Sequence, residues 1–141
     1  MPNVEDMKGL APGRFRAERR WGEALESGFT IVPDVLIKNQ GRLGLAFREL
    51  GVLLQLISFW WTAEEWPRPQ VSTLAKRMGV DDRTVQRSLS ALVDCGLIAR
   101  TRVKTKYGDF AQGFDLSGLV TKLEQIARQG PALSEEDPFP S

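Results

Sequence analysis

The chain has 141 residues, 42% of them hydrophobic and 26% charged, with a net charge of +1, which suits one globular domain with a real core. One cysteine, Cys95, and no histidine rule out an internal disulfide, a thiolate cluster, histidine acid–base chemistry and most metal sites. The charge is uneven: residues 68–106 hold nine Lys or Arg against three acids, a net of +6 that leaves −5 for the rest, which fits either a surface for a polyanion or a solvated basic face.

Residues 1–28 are rich in Gly, Pro and charge and read as a flexible arm. Its one textured piece, "RFRAERRW", suits a surface helix with paired charges at Glu18 and Glu23, or an arm that enters a minor groove. No apolar core of a signal peptide is present there. "TIVPDVLIKN" follows as a compact apolar segment, with Pro33 suited to a first helical position. "QGRLG" breaks it. "LAFRELGVLLQLISFWW" is the longest helical candidate, apolar on nearly every side at Leu45, Phe47, Leu50, Leu53, Leu54, Ile57, Trp60 and Trp61. Such a helix must be buried on more than one face, so part of it is expected to meet a second subunit. The longest uncharged run, Leu50 to Ala63, is too short to span a bilayer. A cytoplasmic location is the expectation.

"EEWPRPQ" is a loop, because its two prolines cannot continue a helix. Glu64 and Glu65 within it are no catalytic pair, since adjacent loop residues need not converge. "QVSTLAKRMG" then spaces Val71, Leu74, Ala75 and Met78 as an amphipathic helix that Gly79 ends. "DDRTVQRSLSALVDCG" repeats the pattern with Val85, Leu89, Leu92 and Val93, and Gly96 closes it. Asp81 suits the N-cap, and Val80 and Val85 suit a hydrophobic staple. Asp82 suits the positive end of the helix dipole, although beside a phosphate it repels unless it faces a cytosine amine or is shielded by Arg83. Cys95 reads as a small packed residue. Two short helices joined through a glycine turn make a helix-turn-helix.

In "LIARTRVKTKYGDFAQGFDL", Ala99, Thr101 and Val103 alternate with Arg100, Arg102 and Lys104, the period of a strand with one basic face. "KYGD" supplies a turn and "GFDL" a return strand. "SGLVTKLEQIAR" is a last helix with Leu119, Leu123 and Ile126 along one side and Ser117 as cap. Residues 29–129 thus form the domain, and the acidic stretch 130–141 is expected to be a disordered tail.

The stretch "VSTLAKRMGVDDRTVQRSLSALVDCGLIARTR" resembles the winged helix-turn-helix of bacterial, plasmid and phage regulators and replication initiators. "LAKRMGV", "RTVQRSLSAL" and "GLI" carry the likeness, closely over residues 67–104 and more loosely over 29–116. It implies a mainly α fold with a small β-hairpin. It also implies that Arg83, Thr84, Gln86, Arg87 and Ser90 face the major groove, and their spacing between the core positions agrees. Arginine can pair with guanine and glutamine with adenine, while Thr84 or Ser90 can instead take phosphate. Lys76 and Arg77 suit the DNA backbone, and Arg100, Arg102, Lys104 and Lys106 suit phosphate or minor-groove contact. Tyr107 at the hairpin tip could stack or simply be an exposed turn residue.

The function implied is a sequence-specific reader of double-stranded DNA. It would act as a homodimer on a palindromic or repeated site, and regulate plasmid or phage genes or replication by occupancy. No enzyme, cofactor, metal, membrane or small-molecule ligand is expected. The DNA-binding part of a replication initiator is an alternative. Another is a protein-interaction module that uses the aromatic helix, since Phe59, Trp60, Trp61 and Trp66 suit a core or interface better than a base-stacking platform.

Overall fold

Apolar spacing and glycine stops place the helices of this chain. The computed structural model describes Ala17 and residues 19–130, so the tail beyond residue 130 and most of "RFRAERR" lie outside the described residues. A 3₁₀ turn, Gly22–Ser27, precedes α1 (Asp34–Lys38), α2 (Phe47–Ser58), α3 (Val71–Met78) and α4 (Asp82–Asp94). Strands β1 (Ala99–Lys104) and β2 (Phe110–Asp115) form an antiparallel hairpin, and α5 (Ser117–Gln129) closes the order. The fold is mainly helical with one small hairpin, as the spacing of the sequence suggests.

Three local expectations are corrected. Pro33 stands just before α1 rather than in its first turn, extended at ψ 139°, and its carbonyl accepts the Leu36 N–H at 3.0 Å. The long apolar helix stops at Ser58, so Phe59, Trp60 and Trp61 lie beyond it, and the Trp61 Nε1–H turns back to the Ser58 carbonyl at 2.8 Å. α5 is capped not by Ser117 but by Asp115, whose Oδ1 accepts the Ser117 N–H at 2.7 Å. Ser117 is already the first helical residue, with Leu116 at the cap position, so its hydroxyl does not stand where a capping side chain accepts from the first turn.

Val52, Leu53 and Leu56 of α2 face the core, which also takes Leu74 and Ala75 of α3 and Val85, Leu89 and Leu92 of α4. α5 adds Leu119, Leu123 and Ile126. Complete burial of one such leucine stabilises by about 1.5–3 kcal/mol, so these helices form one body. The other side of α2 is only half-buried at Leu50, Leu54 and Ile57, and Phe47 is 88% exposed. Trp60 packs against Trp66 with centroids 5.4 Å apart, and its Nε1–H finds no partner among the described residues.

Two glycines allow the close contacts that hold the periphery. A Cβ at Gly113 would overlap Val103 and lie 3.1 Å from the Pro67 carbonyl. The bare backbone instead lets Phe114 N–H reach that carbonyl at 2.9 Å, which ties the hairpin base to the loop before α3. A Cβ at Gly118 would overlap the Gly96 carbonyl, and beside it the Leu119 N–H bonds Leu97 O at 2.9 Å. α5 is thereby pressed onto the turn that ends α4. Among the described residues no helix is long and apolar enough to cross a membrane.

Candidate nucleic-acid interface

The turn between α3 and α4 sets the direction of α4. Gly79 takes the left-handed conformation at φ 69°, and Val80 N–H bonds Ala75 O at 3.0 Å. Asp81 then caps α4, its Oδ1 accepting the Thr84 N–H at 2.8 Å. The Asp81 carboxyl is held below its usual range, first by the Thr84 side chain and backbone N–H, then by the charges of Arg87 and Arg48. Asp82 is exposed in the first turn. With Val85, Ser88, Leu89 and Leu92 buried, Arg83, Gln86, Arg87 and Ser90 form the exposed row, while Thr84 is half-buried beside its cap.

Directly opposed residues of an antiparallel pair share a face. Arg100, Arg102 and Lys104 oppose Phe114, Gln112 and Phe110, so one side of the hairpin carries all three cations. That side is turned toward α4, because Arg100 Nη2 donates to Ser90 Oγ at 3.3 Å. The exposed row of α4 and the basic face of the hairpin therefore join at the Arg100–Ser90 contact into one surface. Ser90 is thus already engaged within the protein.

The remaining expected residues divide. Lys76 is exposed on α3. Arg77 instead turns back onto α2, its guanidinium 4.3 Å from the Phe59 ring centroid and 3.5 Å from Gln55 Oε1 and Ser58 Oγ. Arg102 lies over Phe110 at 4.9 Å, and Lys106 in the turn lies over Tyr107 at 5.1 Å. Two residues on this side escaped the sequence reading. Arg48 is exposed in the first turn of α2, and its charge acts on Asp81. Its only local signal is a cation at the helix end where the dipole disfavours one. Phe110 is a large exposed ring beside Arg102, signalled only by its position directly after the turn.

No group of His, Cys, Asp and Glu among the described residues could hold a metal ion. Cys95 is exposed, its thiol donating to Leu92 O at 3.3 Å. Residues 43–98, from the approach to α2 through the end of α4, match the family model of a helix-turn-helix domain. The fold is that of a winged helix-turn-helix, in which α4 holds the place of the recognition helix and the β1–β2 hairpin that of the wing. A solved structure, the N-terminal domain of DnaD protein from Geobacillus kaustophilus HTA426, is similar at 28% identity and a TM-score of 0.54, over 79% of this chain and 96% of that one. A possible transcriptional regulator from Methanosarcina mazei Go1 is similar at 17% identity and a TM-score of 0.45, over 72% and 87% of the two chains. No curated protein matches the chain.

Proposed function

We propose that this winged helix-turn-helix is a non-enzymatic reader of double-stranded DNA sequence that regulates transcription or replication by occupying its site. The observation that carries the reading is the continuous surface from Arg83, Gln86 and Arg87 on the recognition helix, across Arg100, to Arg102 and Lys104 on the wing. Arg83 and Arg87 have the donors for guanine O6/N7, and Gln86 has the pair needed for adenine N6/N7. Lys76, Lys104 and Arg48 suit phosphates and set register rather than sequence. Arg77 is a helix-to-helix clamp in this reading, not a phosphate contact.

One recognition helix covers only a few base pairs, so a homodimer on a palindromic or repeated site is the natural arrangement. The exposed Phe47, Ile31 and Ile37 supply apolar surface for such pairing. Selection from randomised duplexes, repeated at several salt concentrations, tests the function. Enrichment of a roughly palindromic site, with affinity falling steeply as salt rises, is the expected result. Failure to enrich anything over random sequence would overturn it.

A further inference from the structure

We propose that the wing tip binds unpaired nucleobases of DNA by stacking them on Phe110 and Tyr107, a second mode of contact beside duplex reading by the recognition helix. It rests on DNA being the partner. Tyr107 is 82% exposed and Phe110 56% exposed, so neither ring contributes to the core. Each carries a cation over one face, Arg102 at Phe110 and Lys106 at Tyr107. Lys104, which opposes Phe110 across the hairpin, adds a third charge. The one acid at the tip, Asp109, is occupied, since its carboxylate accepts the Thr105 hydroxyl.

The tip is also held in shape. Thr105 N–H bonds Asp109 O at 2.8 Å, Gly108 N–H bonds Thr105 O at 3.0 Å, and Tyr107 N–H bonds Thr105 Oγ1 at 3.2 Å. Gly108 takes φ 88°, which L side chains rarely adopt. Rings on a fixed turn lose little freedom when something stacks on them. In an intact duplex the base faces are hidden between neighbours and only edges are presented, whereas an unpaired base offers a π-face and an adjacent phosphate. Exposed aromatics interleaved with cations answer both features. The Arg100–Ser90 contact fixes the wing base at the recognition helix. From Arg100 to Thr105 the strand advances by about 17 Å, which is roughly five base-pair steps along DNA. The unpaired bases should therefore lie no further than that from the bases α4 reads.

Fluorescence anisotropy on the whole chain tests this with three probes: an intact duplex, the same duplex with a bubble of about four bases, and an oligothymidine of about 15 nucleotides, near the upper end of single-strand site sizes. Wild type should bind the bubble roughly tenfold more tightly than the intact duplex. Phe110→Ala and Tyr107→Ala should each weaken bubble and oligothymidine binding by about 5- to 150-fold, the range of one stacked base, and leave the intact duplex within about twofold. Phe110→Tyr and Tyr107→Phe should keep the preference, because the π-face remains. Equal losses on all three probes would overturn the proposal, as would alanine variants with unchanged bubble affinity. Wild type that binds the duplex without preferring the bubble refutes the wing-tip site alone. Wild type that binds none of the probes refutes the DNA reading itself. Both rings are exposed, so unchanged thermal melts should confirm that the variants fold.

Discussion

The recognition helix and the wing turn cations toward the same side but hold them in different ways. Behind Arg83, Gln86 and Arg87 the opposite face of α4 is fully buried at Val85, Leu89 and Leu92, and both ends of the helix are closed by a cap or a glycine turn. The wing is tied down at its base, where Phe114 is buried and bonded to Pro67, while its outer half is exposed or half-buried. In the proposed reading the helix row meets base edges and the wing charges meet phosphates, so the first specifies and the second positions.

The largest effect separating them is at the wing base. Phe114→Ala should cost about 3–5 kcal/mol of stability in denaturant unfolding, as expected for an aromatic removed from a packed core. A loss below about 1 kcal/mol, on that same scale, would mean that the wing is not part of the cooperative unit. Next comes the difference in DNA reading. Arg87→Ala should remove about 1–3 kcal/mol of discrimination at one base position. Arg102→Ala should instead weaken all duplexes alike and lower the salt slope by about 1. Exchange of these two patterns in a selection experiment would reverse the roles given to helix and wing.

Arg77→Ala should lower stability by about 0.5–1 kcal/mol, the scale of an exposed cation–π contact, and leave duplex affinity nearly unchanged. A large affinity loss without a stability loss would return Arg77 to the phosphate contacts. The smallest effect is at Asp81. Its folded-state pKa is depressed, so its stabilising contribution is present above the ordinary carboxylate value near pH 4 and lost as pH falls through the lowered value. Asp81→Asn keeps an acceptor for the Thr84 N–H and should remove that part of the acid dependence of the melting temperature.

What could be read from the sequence was what has a local cause. Gly79, Asp81 and Gly96 mark the ends of α3 and α4 through the conformations and bonds of their own neighbours, and the alternation from Ala99 to Lys104 gave β1. The row Arg83, Thr84, Gln86, Arg87 and Ser90 came from the family resemblance with helical period in agreement, and of these only Thr84 is half-buried. Partners distant in sequence could not be seen. Nothing near Arg77 announces that Phe59 lies beneath it, and nothing near Arg48 says that Asp81 is close. Ser117 looked like a cap because serine often is one, and only the path of the chain shows that Asp115 arrives first. The half-exposed α2 likewise reflects which of its sides α3 and α4 cover.

The contact between Gly118 and the Gly96 carbonyl has a mechanical meaning. Elsewhere in the core, side chains lie between helices and can absorb a small displacement by changing rotamer. Here backbone rests on backbone, joined by the Leu119–Leu97 hydrogen bond, and no rotatable group lies between. A side chain at position 118 has nowhere to go unless α5 or the turn that ends α4 moves as a whole.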